Sequence, residues 1–443
     1  MGKIGLAALS ALAAAAAVVA LAAPGRTTSN VVVSNCGKLL PPSWGSYLGA
    51  FTDFDTREMY KEDHATDGRI TAFERLAEHK LTWVYFSQQW YRDLRFPRER
   101  VLTIWRHGAV PYIAFLPTGG IYGSGPTSHA PVRRFGLQRI IDGAFDRQLR
   151  AWADGARRLD IPLLLSFGAE VNSESGPWSA RWNGADRTDG YGDPTYPDGA
   201  ERYRDASRHL VRLFRASGAN NVSFVFDVDS HRPLHGWNTL DLYYPGDAYI
   251  DWLGISVYGS LEPRAPMSPL ARKLDVSGVY RTLTNLSRRP IAVAGLGTVE
   301  RAAGEKAAWI RRSFQALRSG RYSRIRAAVW WSLDGSTNTR IDSSSGALAA
   351  FRTGITGQFF SARPLFSGDC RPPPPAVVVA TPVSPSVIRV RWSPVAVASA
   401  YEVLRDGRRI GTTTATTWVD RAVKPGRPHT NPVRAVDLGG RSV

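Results

Sequence analysis

The sequence predicts an α/β fold, a closed (β/α)₈ barrel, followed by a small all-β module. Three observations lead there. Eight apolar, β-rich runs, mostly separated by helical stretches, lie between the chain's two cysteines, Cys36 and Cys370. Several of these runs are continuous rather than alternating, as strands buried on both faces of a parallel sheet should be. Beyond Cys370 a run of four prolines (372–375) acts as a stiff spacer, and short alternating strands follow it. The length of 443 residues suits one large domain plus a small one.

Residues 1–23 read as a secretory signal peptide. Met1-Gly2-Lys3 precedes an uncharged, alanine-rich run over 4–23, and Ala20-Leu21-Ala22 gives a small-x-small cleavage site. The expectation is a secreted, extracellular or envelope-associated protein. The same run is long enough to remain as an N-terminal anchor, although its alanine content makes it weakly apolar. In an oxidising compartment Cys36 and Cys370 form one disulfide tying together the ends of the domain at 24–370. So few cysteines make a metal site a poor expectation, and no cofactor is expected.

The eight runs occupy 46–51, 82–87, 110–117, 162–170, 222–229, 250–259, 290–297 and 325–334. Between them, Ile140, Ile141, Ala144, Phe145, Leu149, Trp152, Ala153 and Ala156 form one helical stripe at period 3.6, and Tyr203, Ala206, Leu210, Leu213 and Phe214 form another. A doubly wound open sheet is the competing architecture, disfavoured because no glycine-rich phosphate fingerprint follows the first strand.

After the linker at 371–376, strands are expected at 387–392, 401–405, 409–411, 416–419 and 433–436, with Asp406-Gly407 as a hairpin turn. On Arg391-Trp392, YEVLRDGRRIGTTTATTWVD and VRAVDLGG, residues 377–443 resemble a bacterial extracellular fibronectin type III module. The segment is short for that fold, its last strand is expected to be missing, and Pro432 cannot donate to a ladder.

Net charge is +18, with 7 lysines leaving 49 arginines among the 56 basic residues. Such a surface suits acidic cell-wall polymers as partners, yet its dispersed charges also read as an ordinary solvated face. No nucleic-acid-binding signature is present. A monomer is expected.

Function in a barrel gathers at the C-terminal ends of the strands. The fourth run, LLLSFGAEVN, ends in Glu170 followed by Asn172; a carboxylate placed after so many apolar or small residues suits a general acid, though one paired with an arginine at the barrel rim would look alike. Trp178 and Trp182 follow, offering sugar-stacking faces or loop packing. The fifth run ends in Asp227 and Asp229, the sixth in Tyr258, and the eighth in Trp330-Trp331-Ser332-Leu333-Asp334.

In this order the residues resemble glycoside hydrolase family 26, the β-mannanase family. Gly168-Ala169-Glu170-Val171-Asn172, Tyr244-Pro245-Gly246-Asp247, Ile250-Asp251-Trp252-Leu253-Gly254 and Pro290-Ile291 match its strand-end stretches, and the resemblance covers residues 40–360. It implies that Glu170 is the acid/base, that Tyr258 stands beside the nucleophile, that Trp178 and Trp182 flank the leaving group, and that Trp331 floors the sugar site. It also implies a β-linked, mannan-type polysaccharide as partner. Two positions depart from the pattern: the family's histidine before the acid/base is Ala169, and its nucleophile position is Gly295. Retention needs two carboxylates about 5–5.5 Å apart and inversion a pair about 6.5–9.5 Å apart. A glycine supplies neither. Asp227, Asp229, Asp334 and Glu300 are the carboxylates that could step in, and a non-hydrolytic carbohydrate-binding protein is the alternative.

Overall fold

The structure is a computed structural model describing residues 36–52, 65–119, 133–233, 235–335, 337–361 and 363–443; the expected signal peptide lies outside them. Eight parallel strands close into a barrel: β1 (Ser46–Thr52), β2 (Trp83–Gln89), β3 (Val110–Leu116), β4 (Leu163–Phe167), β5 (Val222–Asp229), β6 (Trp252–Tyr258), β7 (Ile291–Gly297) and β8 (Ile325–Ser332). Closure is explicit in the register, where β1 pairs with β8 from Tyr47↔Ala327 to Thr52↔Ser332. Each strand falls on one of the eight runs. Two ends differ. β4 stops at Phe167, because Gly168 turns the chain at φ +64°, and β8 stops at Ser332, two residues before Asp334.

The helices form where the stripes predict. All five stripe residues of the helix Asp198–Ala216 are buried. The stripe over 140–156 is split, since Gly143 at φ +79° separates the helix Leu137–Ile141 from Asp146–Leu159. Two helix starts are capped by side chains: Thr66 accepts from the Arg69 N–H, and Ser344 accepts from the Ala347 N–H.

One end of the barrel is closed. Tyr47, Trp83, Tyr112 and Trp252 interlock inside it with ring centroids 5.2–6.0 Å apart, Trp83 meeting Tyr112 and Trp252 edge to face and Tyr47 at a tilt. A two-stranded clip, Leu39–Leu40 against Leu365–Phe366, lies below them. Trp252 Nε1 donates to the Leu39 carbonyl (3.1 Å), and Tyr47 Oη donates to the Leu40 carbonyl and accepts from the Leu365 N–H. The disulfide Cys36–Cys370 fastens the same end. The open end is therefore the one where β1–β8 finish.

The C-terminal module has a three-stranded and a four-stranded antiparallel sheet, which share one small core that includes Val390, Trp392, Tyr401, Val403, Val433 and Ala435. The five expected strands are present. Val378–Ser384, which was not expected, forms an edge strand, the position that tolerates Pro382. A final pairing, Gly440–Arg441 with Val436–Asp437, completes the larger sheet. Asp406 and Gly407 both take positive φ, as a two-residue hairpin turn demands. The module is tied to the barrel through Trp105 Nε1, which donates to Asp437 Oδ2 (3.2 Å), and Arg106, which donates to the Ala396 carbonyl.

Candidate active site

A cleft of about 630 Å³ opens at the C-terminal ends of the strands, and Glu170 lies on its wall. A second lobe continues past Glu170 toward Asn172, Trp182 and Arg232. Glu170 is not on β4 but on the turn after it, at φ +53°. A non-glycine residue there is strained and persists only when its surroundings fix it. Here they do. Gly168 N–H donates to the Phe115 carbonyl, Val171 N–H donates to the Asp227 carbonyl, and Trp178 Nε1 donates to the Ala169 carbonyl (2.8 Å).

Asn172 is a positioning residue. Its Oδ1 accepts from the Asp229 N–H (2.8 Å) and its Nδ2 donates to the Asp229 carbonyl (3.1 Å), so one side chain clasps the turn after β4 to the end of β5.

The three tryptophans separate. Trp178 is only 1% exposed. Its ring fills the space over Gly168 and Gly176, where an added Cβ would lie 2.4–2.6 Å from ring atoms. Of the two expectations for Trp178, loop packing is the one its burial favours: the ring supports the Glu170 turn, although the residue still borders the cleft. Trp182 is half-buried in the second lobe, with the Arg181 guanidinium 5.2 Å above its ring. Trp331 lines the main cleft, stacked on Phe51 and edge-on to Tyr258.

The seventh strand contains a bulge. Ile255 pairs with Val293 and Ser256 with Gly295, leaving Ala294 as an extra residue. Ala294 and Gly295 consequently both reach the cleft. A Cβ built on Gly295 would sit 2.4 Å from Tyr258 Oη and 3.1 Å from Ser256 Oγ. The space of a side chain at 295 is thus taken by the tyrosine hydroxyl.

Of the four further carboxylates, two are in the cleft and two are not. Glu300 accepts from Ser344 Oγ (2.9 Å) and from the Lys306 N–H, holding the starts of the helices Glu305–Arg318 and Ser345–Ile355. Asp334 accepts from the Gly335 N–H and lies near Arg340. Neither lines the cleft, because the chain after β7 and β8 turns outward to these helices, so both expectations are corrected.

Asp227 lies on the cleft floor, 4% exposed, with Oδ1 buried and unpaired; Tyr112 Oη reaches Oδ2 at 3.4 Å. Burial pushes its carboxyl up to about 7. Asp229 is engaged: its Oδ1 accepts from both the backbone N–H and Nδ1 of His231.

Among the cleft residues that escaped the sequence reading are Tyr85 from β2, His231 after β5, and Lys273 on the helix Leu270–Val276. Tyr85 could have been found as an inward position of β2. Lys273 carried no local signal beyond being one of few lysines in an arginine-dominated chain.

No known protein-family model matches the sequence. The chain is 27% identical over 291 residues to Endoglucanase H of Acetivibrio thermocellus, a match covering 66% of this chain and 29% of that protein. It is 24% identical over 123 residues to a β-1,3-xylanase of a Vibrio species, covering 28% and 22%. The chain thus spans less than a third of either relative's length. Among solved structures, the catalytic domain of a family 26 endo-β-1,4-mannanase from a Bacillus species superposes with a TM-score of 0.52 at 16% identity, over 72% of this chain and 87% of that one. The protein GH26C of a Muricauda species gives 0.52 at 13% identity, with the same coverage. The structural neighbours are glycoside hydrolase family 26 barrels, the two named relatives are glycoside hydrolases, and the likeness in structure is one of fold.

Proposed function

We propose that this is a secreted protein that binds a β-linked glycan in a glycoside-hydrolase cleft without double-displacement hydrolysis. The observation that carries the reading is the seventh strand. Gly295 offers no carboxylate, and the Tyr258 hydroxyl occupies the space one would need. Losing the nucleophile from a concerted catalytic set lowers the rate by about 10⁶. Glu170, in the acid/base place, hydrogen-bonds sugar hydroxyls; Trp331 and Trp182 supply apolar faces to ring C–H surfaces. The similar proteins, an endoglucanase, a β-1,3-xylanase and an endo-β-1,4-mannanase, support a polysaccharide ligand of that kind. The C-terminal module is a fibronectin type III-like unit that holds the barrel in the envelope or matrix, where the basic surface meets acidic wall polymers.

The test compares wild type, Glu170→Gln and Gly295→Glu on mannan, β-glucan and xylan, by affinity electrophoresis and by reducing-sugar release. Binding without sugar release is expected of the wild type. Sugar release that Glu170→Gln abolishes would refute the reading. A second reading, inverting hydrolysis with Asp227 as partner to Glu170, rests on the elevated carboxyl of Asp227. It requires sugar release that Asp227→Asn also removes.

A further inference from the structure

We infer that the cleft selects a glycan carrying carboxylates, and that Lys273 is the residue that reads them. This deepens the glycan-binding reading and rests on it. Lys273 extends from the helix Leu270–Val276 onto the wall of the main cleft. Among the described residues its ammonium makes one hydrogen bond, to His231 Nε2 at 3.4 Å, and no carboxylate lies within ion-pair distance. His231 Nδ1 donates to Asp229 Oδ1, and in the neutral tautomer that this bond selects Nε2 accepts from Lys273. Of the three ammonium donors, two remain for a ligand in the cleft.

The carboxylates of the same cleft are Glu170, Asp227, Asp229 and Glu262, and none of them lies within ion-pair distance of the ammonium. Burial draws the ammonium's pKa down and the nearby Asp229 and Glu170 offset part of that, yet Asp229 already accepts twice from His231. Glu174 accepts from Asn238 and lies near Arg181, and Glu262 stands exposed at the rim. β7 contributes Ala294 and Gly295 to the same cleft, and these carry no charge. Among the described residues the cleft therefore has a partly buried cation without a contacting anion. Farther along, the second lobe adds Arg232, which makes no ion pair among the described residues, and Arg181, stacked on Trp182. A glycan with a carboxylate on each ring would meet Lys273 in the main cleft and the two arginines beyond.

The discriminating probe is a pair of ligands with one backbone: a β-1,4-linked mannohexaose, and the hexamer of β-1,4-linked mannuronate, which replaces each hydroxymethyl by a carboxylate. Affinity is measured by calorimetry on the wild-type chain, Lys273→Met and Lys273→Arg, with near-ultraviolet circular dichroism as the folding control. The expected result is binding of the acidic hexamer about tenfold or more tighter, as suits a charge-assisted hydrogen bond in a partly buried site. That preference falls with added salt, disappears in Lys273→Met and survives in Lys273→Arg. Equal affinity for the two hexamers overturns the inference and leaves the glycan-binding reading standing. An equal loss for both hexamers in Lys273→Met also overturns it, because Lys273 is then only a counter-charge to Glu170 and Asp229. Binding of neither hexamer overturns both readings.

Discussion

Replacing Asp227 by asparagine should stabilise the protein at alkaline pH and much less at acid pH. The carboxyl is raised from 3.8 to about 7, first by burial and then by the Asp229 charge; the Tyr112 hydroxyl opposes the rise. The folded state therefore holds this proton more tightly than the unfolded chain. Below pH 4 the group is protonated in both states and contributes no penalty. As pH rises through the window from about 4 to about 7 the unfolded chain ionises first, and stability falls. The shift, 7 − 3.8, is about 3 units, and at 1.36 kcal/mol per unit the penalty above pH 7 reaches about 4 kcal/mol. Asparagine keeps the shape without a charge and turns its amide toward Tyr112. It leaves its other end as unsatisfied as Asp227 Oδ1 is now, so the net gain is smaller, about 2 kcal/mol at pH 8.5. Urea unfolding of both proteins at pH 4.5 and pH 8.5 measures this. A stability difference that is the same at the two pH values would refute the linkage, and a destabilised variant at pH 8.5 would show the buried carboxylate to be compensated.

Other perturbations separate the roles of neighbouring residues. Trp178→Ala should destabilise the fold by about 3–5 kcal/mol in thermal unfolding, because the ring fills the space over Gly168 and Gly176, whereas Trp182→Ala should leave stability nearly unchanged and weaken glycan binding. Opening the Cys36–Cys370 bridge in a double serine variant should lower stability by roughly 5 kcal/mol, since it closes a sequence separation of 334 residues. Asp437, half-buried where the module meets the barrel, is raised to about 6 by desolvation, against the Trp105 N–H that favours its ionised form, so docking of the module should weaken as pH rises through about 4 to 6. Limited proteolysis between barrel and module at pH 5 and pH 8 should show this, and Asp437→Asn should flatten the difference.

The barrel was legible because its strands announce themselves: a parallel strand with both faces covered must be apolar throughout, and every run from 46–51 to 325–334 overlaps one of the eight. The split at Gly143 was not, because the apolar spacing continues across it while a positive φ breaks the helix. Around the site, Glu170 could be located but not its backbone, since a left-handed glutamate is held by contacts from Phe115, Asp227 and Trp178, each distant in the sequence or across a turn. Burial of Trp178 was likewise out of reach, because the same Trp-rich text gives one enclosed ring and one cleft ring. Lys273 belongs to the site only because its helix is brought beside the end of β5, where His231 stands.

The seventh strand shows what a sequence position means and what it leaves open. Counting along PIAVAGLG puts a glycine where a carboxylate would be sought, and that count assumes regular alternation. The bulge at Ala294 breaks the alternation, so two consecutive residues reach the cleft and neither is ionisable. If Gly295 were merely an empty position, a glutamate put there would restore a second carboxylate. Tyr258 Oη lies 2.4 Å from the first atom such a side chain would need, so the tyrosine has to leave before a carboxylate can stand there. The Trp331 ring beside it resists that movement on one side, while the open cleft permits it on the other. Gly295→Glu in the wild-type background is accordingly expected to weaken glycan binding by pushing Tyr258 into the cleft, and to yield no hydrolysis on its own.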